Sequence, residues 1–130
     1  MKQRLILVGN LGADPEIKEI RDDYHVTNFS LATNRKWKNR DGEYQTETAW
    51  FRISVFGGQA VPCEKYLSKG RQVMVEGRLK VDPETGGPRV YERGDGTTGA
   101  SFEVIADDVL FLSGGDSRDE KEESGGDPWD

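Results

Sequence analysis

A tryptophan inside a run of cations is the first feature of the sequence that could do chemistry. Trp37 lies in the segment NRKWKNR, and the bases around it are Arg35, Lys36, Lys38 and Arg40. An indole ring can stack on a nucleobase, for about 1–3 kcal/mol per base, while flanking cations contact phosphates. The pairing favours a single-stranded nucleic acid as the ligand. The alternative is a solvated, charged hairpin tip with an incidental Trp.

The segment TAWFRISVF, Thr48–Phe56, predicts a strand with two different faces. Alternation gives one face that is typical of a core: Phe51, Ile53 and Val55. The opposite face combines two large aromatics with a guanidinium and a hydroxyl: Trp50, Arg52, Ser54 and Phe56. Such a face suits the stacking of bases beside a cation that contacts phosphate. The alternative is that both aromatics pack under a loop and Arg52 stays exposed at the rim.

A later predicted strand, Gln72–Val81, also has one apolar face and one face that carries cations. Four apolar residues are expected to point inward: Val73, Val75, Leu79 and Val81. Arg78 and Lys80 alternate with them on the other face, together with Met74 and Glu76. After a turn at Asp82–Gly87, the segment PRVYER supplies Arg89, Tyr91 and Arg93. We interpret it as a second basic and aromatic arm that clasps the nucleic acid, the alternative being an exposed hairpin without a ligand.

The net charge of −6 would oppose a polyanionic partner if it were evenly distributed. It is not, because residues 113–130 hold two bases and seven acids, a net charge of −5. Residues 1–112 then hold 16 bases and 17 acids, a net charge of −1. A nucleic-acid partner is therefore compatible with the charge of the larger segment.

The sequence does not support a catalytic or metal site. A single cysteine, Cys63, and a single histidine, His25, argue against a Cys/His zinc site or a Cys–His–Asp triad. The chain has no phosphate-binding loop, zinc-protease motif or nucleophile elbow. We expect a non-enzymatic protein without metal or cofactor. The start, MKQRLILVGN, is too quickly polar for a signal peptide or membrane span, so we expect a cytoplasmic protein without a membrane partner, nucleoid-associated if its ligand is DNA.

Period-two alternation predicts an all-β fold. The strand candidates are Arg4–Gly9, Glu16–Arg21, Tyr24–Asn34, Thr48–Phe56, Gln72–Val81 and Phe102–Leu112. The second and third candidates could instead form one long strand that is interrupted at Asp22–Asp23. Residues Gln59 to Lys69 predict one short helix. This order suits an OB-fold, a five-stranded Greek-key barrel, with a β-sandwich as the alternative. We expect an OB-fold domain over 1–112 and a disordered acidic tail over 113–130.

The chain also resembles the bacterial single-stranded DNA-binding proteins (SSB). The matching segments are LILVGNLGADPEI, FSLATNRKW, TAWFRISVFG, EKYLSKG and VEGRL, in the order of the family. The resemblance implies an OB-fold, sequence-tolerant binding of single-stranded DNA in replication, recombination and repair, and a homotetramer. Trp37, Trp50 and Phe56 fall on the family's base-stacking aromatics. Alternative functions are an OB-fold primosome or RNA-binding interaction module and, from a different class, a small enzyme that acts on nucleotides.

Two departures from the family pattern concern the later part of the chain. A stacking Trp is often found after the VEGRL segment, where this chain has KVDP, and Tyr91 is a candidate substitute. Family tails tend to end in acids followed by Ile-Pro-Phe, which docks replication and repair proteins. Here the end is Asp127, Pro128, Trp129 and Asp130, so the resemblance implies docking through a modified tip.

Overall fold

Alternating apolar residues form strands over most of the chain. The computed structural model describes residues 1–112. Their elements are β1 (Leu5–Leu11), β2 (Glu16–Arg21), β3 (Tyr24–Lys38), β4 (Tyr44–Phe56), a 3-10 turn (Gly57–Gln59), α1 (Ala60–Tyr66), β5 (Gln72–Lys80), β6 (Arg89–Glu92) and β7 (Thr98–Phe111). The expected disordered tail, residues 113–130, lies outside the described residues.

Five strands close into a barrel in the order β1, β5, β7, β4, β3 and back to β1. All of these pairings are antiparallel except the one between β4 and β7, which is parallel. This is the OB-fold arrangement, with α1 between the third and fourth barrel strands. The predicted all-β class, the five-stranded barrel and the single short helix are confirmed.

Two further strands lie outside the barrel path. β2 pairs with β3 as a hairpin, and β6 pairs with the start of β7. The option of one long strand through Asp22–Asp23 is therefore wrong, because these residues form the turn of the β2–β3 hairpin. Asp23 adopts φ 56°, in the left-handed region that Asp tolerates better than most residues.

The barrel interior is filled by the apolar faces of its strands. Ile53, Val55, Val73 and Val75 are buried as predicted, and Phe51 is half-buried at the edge of this core. Leu79 and Val81, which were also expected to point inward, are 41% and 45% exposed. Leu79 follows a register shift between Glu76 and Gly77 that interrupts the alternation of β5, and Val81 lies beyond the end of the strand at Lys80.

The helix is shorter than the sequence pattern predicts. It begins after the 3-10 turn and ends at Tyr66, whereas the expected span was Gln59 to Lys69. Leu67 is already extended, at φ −100° and ψ 153°, because its side chain is buried in the core instead of continuing the turn. Within residues 1–112, neither helical segment has the length and apolarity needed to cross a membrane.

Candidate nucleic-acid interface

The β3–β4 hairpin presents one face with large aromatics opposite small neighbours. Its register is continuous from Val26 opposite Phe56 to Lys38 opposite Tyr44. Ala32 lies opposite Trp50 and Ser30 opposite Arg52, so small side chains on β3 leave room above the large groups on β4. Trp50, Arg52 and Phe56 therefore share the outer face of the hairpin, as predicted from their alternation.

A groove of about 630 Å³ lies against this face. One wall comes from the end of the β1–β2 loop and the start of β2, with Ala13, Asp14 and Glu16. The β3–β4 hairpin supplies the floor, including Trp50 and Arg52, and the β6–β7 hairpin supplies the other wall, including Tyr91 and Phe102. In OB-folds the same strands and the same two connections contact oligonucleotides. The groove thus brings together Trp50, Arg52 and Tyr91 from the predicted set.

The position of Trp50 depends on a glycine in the β1–β2 loop. A Cβ atom at Gly12 would lie 2.5 Å from Cζ3 of the indole, so only glycine allows the loop to approach the ring this closely. The loop is held there because the Gly12 N–H donates to the Ser30 carbonyl at 3.1 Å. The ring is consequently half-buried, with a defined orientation at the floor of the groove.

Tyr91 is positioned in a similar way on the opposite wall. It pairs with Gly99 across the β6–β7 hairpin, and a Cβ atom on that glycine would lie 2.8 Å from Cζ of Tyr91. The Arg93 guanidinium lies 5.7 Å from the centre of the ring, within the range of a cation–π contact. Tyr91 stays 39% exposed, so its ring is available to a ligand in the groove.

The turn of this hairpin is organised by an aspartate. The Thr97 hydroxyl donates to Oδ1 of Asp95 at 2.6 Å, and the Thr97 N–H donates to the same oxygen at 2.9 Å. Both hydrogen bonds favour the ionised carboxylate, and they lower the pKa of Asp95.

The basic run that contains Trp37 forms the end of β3, which reaches Lys38 instead of the predicted Asn34, and the turn that follows it. The hairpin projects beyond the barrel there, and Arg35, Lys36, Trp37, Lys38 and Arg40 are exposed. Trp37 lies opposite Gln45, five residues along β3 from Ala32, the partner of Trp50. Alternation along an unbroken register therefore assigns Trp37 and Trp50 to opposite faces of the hairpin.

Two cations of this projecting arm already have partners within the hairpin. Nη1 of Arg35 lies 3.5 Å from Oε1 of Glu47, and Nζ of Lys38 lies 5.8 Å from the centre of the Tyr44 ring. Both contacts are solvent-exposed, so they hold the side chains only weakly. Phosphate groups can compete for these cations.

The remaining predicted cations lie outside the groove lining. Arg78 is on the outer surface of β5, where Nη1 lies 3.1 Å from Oδ1 of Asp107. Lys80 lies opposite Glu103 in the β5–β7 register. Nη1 of Arg89 lies 3.9 Å from Oε2 of that same carboxylate, whose side chain is 8% exposed. Lys80 and Arg89 thus lie beside the same carboxylate, next to the β6–β7 hairpin, and form a cationic border outside the groove lining.

The sequence pattern did not identify Phe102, Asp14 and Glu16, which also line the groove. Phe102 lines the groove, is 57% exposed and packs on Phe51 with the ring centroids 5.6 Å apart. The sequence predicted only that Phe102 begins a strand. That this strand pairs with β4, and so brings Phe102 to the groove, is a tertiary feature that the sequence pattern does not contain. Asp14 and Glu16 are part of a turn and an edge strand, whose sequence does not show that they border a site.

Comparisons with known proteins point to one protein family. A family model described as the single-strand binding protein family matches residues 2–112. The single-stranded DNA-binding protein of Xanthomonas axonopodis pv. citri is 40% identical over 111 residues, which are 85% of this chain and 58% of the relative. That of Neisseria meningitidis serogroup A is 32% identical over 127 residues, 98% of this chain and 66% of the relative. The chain thus spans about three fifths to two thirds of the length of these relatives.

Solved structures give the same result. A structure described as the Plasmodium falciparum SSB complex with ssDNA has a TM-score of 0.68 and 33% identity, covering 86% of this chain and 96% of that one. A single-stranded DNA binding protein mutant from Thermus aquaticus has a TM-score of 0.67 and covers 87% of this chain and 51% of that one. Its identity is 23%, so this second likeness concerns the fold alone.

Proposed function

The chain belongs to the single-strand binding protein family, and we propose that it binds single-stranded DNA without sequence preference. In this role it protects and organises single strands during replication, recombination and repair. The observation that supports the proposal most is the outer face of the β3–β4 hairpin, where Trp50 and Arg52 lie at the floor of an open groove. Every base has a π-face, so stacking there tolerates any sequence.

The bound strand would follow the aromatics, with its phosphates outward. Bases stack on Trp50, Phe56 and Tyr91 along the barrel, and on Trp37 on the projecting arm. Because Trp37 lies on the other face of the hairpin, the strand has to cross the hairpin edge between Trp50 and Trp37. The proposed phosphate contacts are the cations that border this path: Arg35, Lys36, Lys38, Arg40, Arg52, Arg78, Lys80 and Arg89. The proposed role is binding, without catalysis, metal or cofactor.

We further propose that the protein forms a homo-oligomer, a tetramer as the family resemblance implies. On the outer surface of the barrel, Val8 lies opposite Met74, and Met74 lies opposite Leu110. Ile6, Val8 and Leu110 are 53%, 49% and 49% exposed, which forms an apolar patch on neighbouring strands. Among the described residues, β1 pairs with β3 only at Asn10 and Leu11, which leaves most of one strand edge open to a second copy.

Docking of replication and repair proteins on the tip Asp127–Asp130, and a cytoplasmic, nucleoid-associated location, remain predictions from the sequence. The tip lies outside the described residues.

Competition on the full chain tests the proposed function. A labelled dT oligomer bound to the protein is displaced with unlabelled single-stranded DNA, RNA of the same sequence, or duplex DNA, and anisotropy reports the free label. We expect single-stranded DNA to compete best and mixed sequences to compete as well as dT. Stronger competition by RNA would instead favour the RNA-binding alternative, and no binding of the dT oligomer would refute the proposal.

A further inference from the structure

Phe102 forms a further aromatic surface in the groove, distinct from the three positions that the family resemblance assigns. Single exposed apolar side chains are common and need no ligand to explain them. Phe102 differs because it is 57% exposed and borders a groove that Trp50 and Tyr91 also line. It lies where β7 changes partners, from the β6 hairpin to the barrel strand β4.

The core holds the Phe102 ring from one side. Phe102 lies opposite Phe51 in the parallel β4–β7 register, with their ring centroids 5.6 Å apart and their planes inclined by 33°. Phe51 in turn packs against the buried core of the barrel. The ring of Phe102 therefore packs on a fixed neighbour, and 57% of the residue stays exposed beside the groove, as a stacking platform requires.

The charges of the groove favour a base over a phosphate. Its charged lining residues are Asp14, Glu16 and Arg52, which is one more acid than base. Asp14 accepts a hydrogen bond from the Lys69 N–H at 2.9 Å, which holds that carboxylate at the wall. Two carboxylates repel a phosphate that enters the groove, but they do not repel a neutral ring. A phosphate in the groove thus has Arg52 as its cation, Lys80 and Arg89 offer further phosphate contacts outside it, and a neutral base fits the rest of the groove.

We propose that the groove is a nucleobase subsite in which Phe102, supported by Phe51, stacks one base of the bound strand. The subsite depends on the proposed single-stranded DNA binding and extends it to a residue that neither the sequence pattern nor the family resemblance assigns. It also supplies an aromatic contact on the side of the barrel where the family's further stacking Trp is missing from this chain.

Substitution of Phe102 in the full chain tests the subsite. Phe102→Ala removes the ring, Phe102→Leu keeps apolar volume without a π-face, and Phe102→Tyr keeps the ring. Tyr66→Ala is the matched control, because Tyr66 is an aromatic of 58% exposure on α1, away from the groove. Each variant is titrated with a labelled dT oligomer and with an abasic oligomer of the same length, and its thermal unfolding is compared with that of the wild type.

We expect Phe102→Ala to weaken binding of the dT oligomer by about 5- to 150-fold, the range of one lost stacking contact. Phe102→Leu should lose a similar factor, whereas Phe102→Tyr and Tyr66→Ala should bind as the wild type does. Binding of the abasic oligomer should be the same in all variants. The slope of log affinity against log salt should not change, because no phosphate contact is removed.

Three results would overturn the subsite. Wild-type affinity of Phe102→Ala or of Phe102→Leu would show that no base stacks on the ring, while the proposed function would stand. An equal loss for the abasic oligomer would show that Phe102 acts only through the fold. A wild-type chain that does not bind the dT oligomer at all would refute the proposed function together with the subsite.

Discussion

The site is built from residues whose surroundings fix their orientation. Trp50 is held by a loop that only glycine can bring close, and Tyr91 lies over the glycine opposite it. Phe102 is supported by Phe51. A ring that is ordered before the ligand arrives loses little conformational entropy on binding, so such support increases the affinity that each stacking contact gives.

Gly12→Ala tests this positioning without touching an aromatic. The new methyl group would meet the indole of Trp50 at 2.5 Å, so the ring or the loop has to move. We expect weaker binding of dT oligomers, by up to about the 150-fold that loss of a stacked base allows. Gly58→Ala is the control, since a methyl group there would have no neighbouring atom within 4 Å. Unchanged affinity in Gly12→Ala would contradict the proposed role of the loop.

Cys63 gives a prediction about pH. Its side chain is buried on α1, and desolvation raises the pKa of the thiol to about 11. The ordinary thiol pKa is about 8.5, so the unfolded chain ionises first as the pH rises. The thiol's contribution to stability is therefore complete below about pH 8.5 and falls between that value and about pH 11.

Alkylation kinetics check this prediction. Iodoacetamide should react slowly with the folded chain at about pH 8 and rapidly after denaturation, because the thiolate is the nucleophile. Cys63→Ser abolishes the signal and serves as the control. Equal rates in the folded and denatured chain would contradict the burial of the thiol.

At the scale of elements, the helix is tied to the barrel by one buried hydrogen bond. The Thr27 hydroxyl on β3 donates to the Ala60 carbonyl at the start of α1, at 2.5 Å. Thr27 is fully buried, so its loss leaves a carbonyl without that donor.

Thr27→Val keeps the shape of the side chain and removes the donor. We expect the free energy of unfolding to fall by about 1–3 kcal/mol, measured by urea denaturation. Binding of dT oligomers below the unfolding transition should stay at the wild-type level, because α1 does not border the groove. A large loss of binding with unchanged stability would contradict this division between support and site.

The elements show how far the sequence predicts the fold and where it stops. The alternation of apolar and polar residues located the barrel strands and assigned Ile53 and Val55 to the core, because the local pattern and the observed burial agree there. It failed at Leu79, which follows a register shift between Glu76 and Gly77 in the pairing of β5 with β7. The helix end was also set by burial of Leu67, which local spacing does not contain.

Local alternation also predicted part of the site, but not the part that depends on tertiary structure. Trp50, Arg52 and Phe56 share a face because they alternate on one strand, and that was evident from the sequence. Phe102 and Asp14 reach the groove through strand pairing and loop placement, so only the fold reveals them. The family resemblance did not indicate Phe102 because it concerned other positions.

At the scale of the whole molecule, charge and aromatic contacts have separable effects. Residues 1–112 have a net charge of −1, so attraction to DNA depends on the local arrangement of cations around the groove and arm. Salt weakens such phosphate contacts, with a slope of about −0.7 per contact for single strands. Stacking on the aromatics responds much less to salt, so a salt series separates the two contributions.

The central claim is that bases stack on the face that contains Trp50 while separate cations contact phosphates. The most direct test is a titration of the full chain and of Trp50→Ala with labelled dT oligomers at several salt concentrations. We predict that Trp50→Ala binds about 5- to 150-fold more weakly at each concentration, with the wild-type salt slope. Equal affinity of the two chains would contradict the claim, and so would a loss that disappears at high salt.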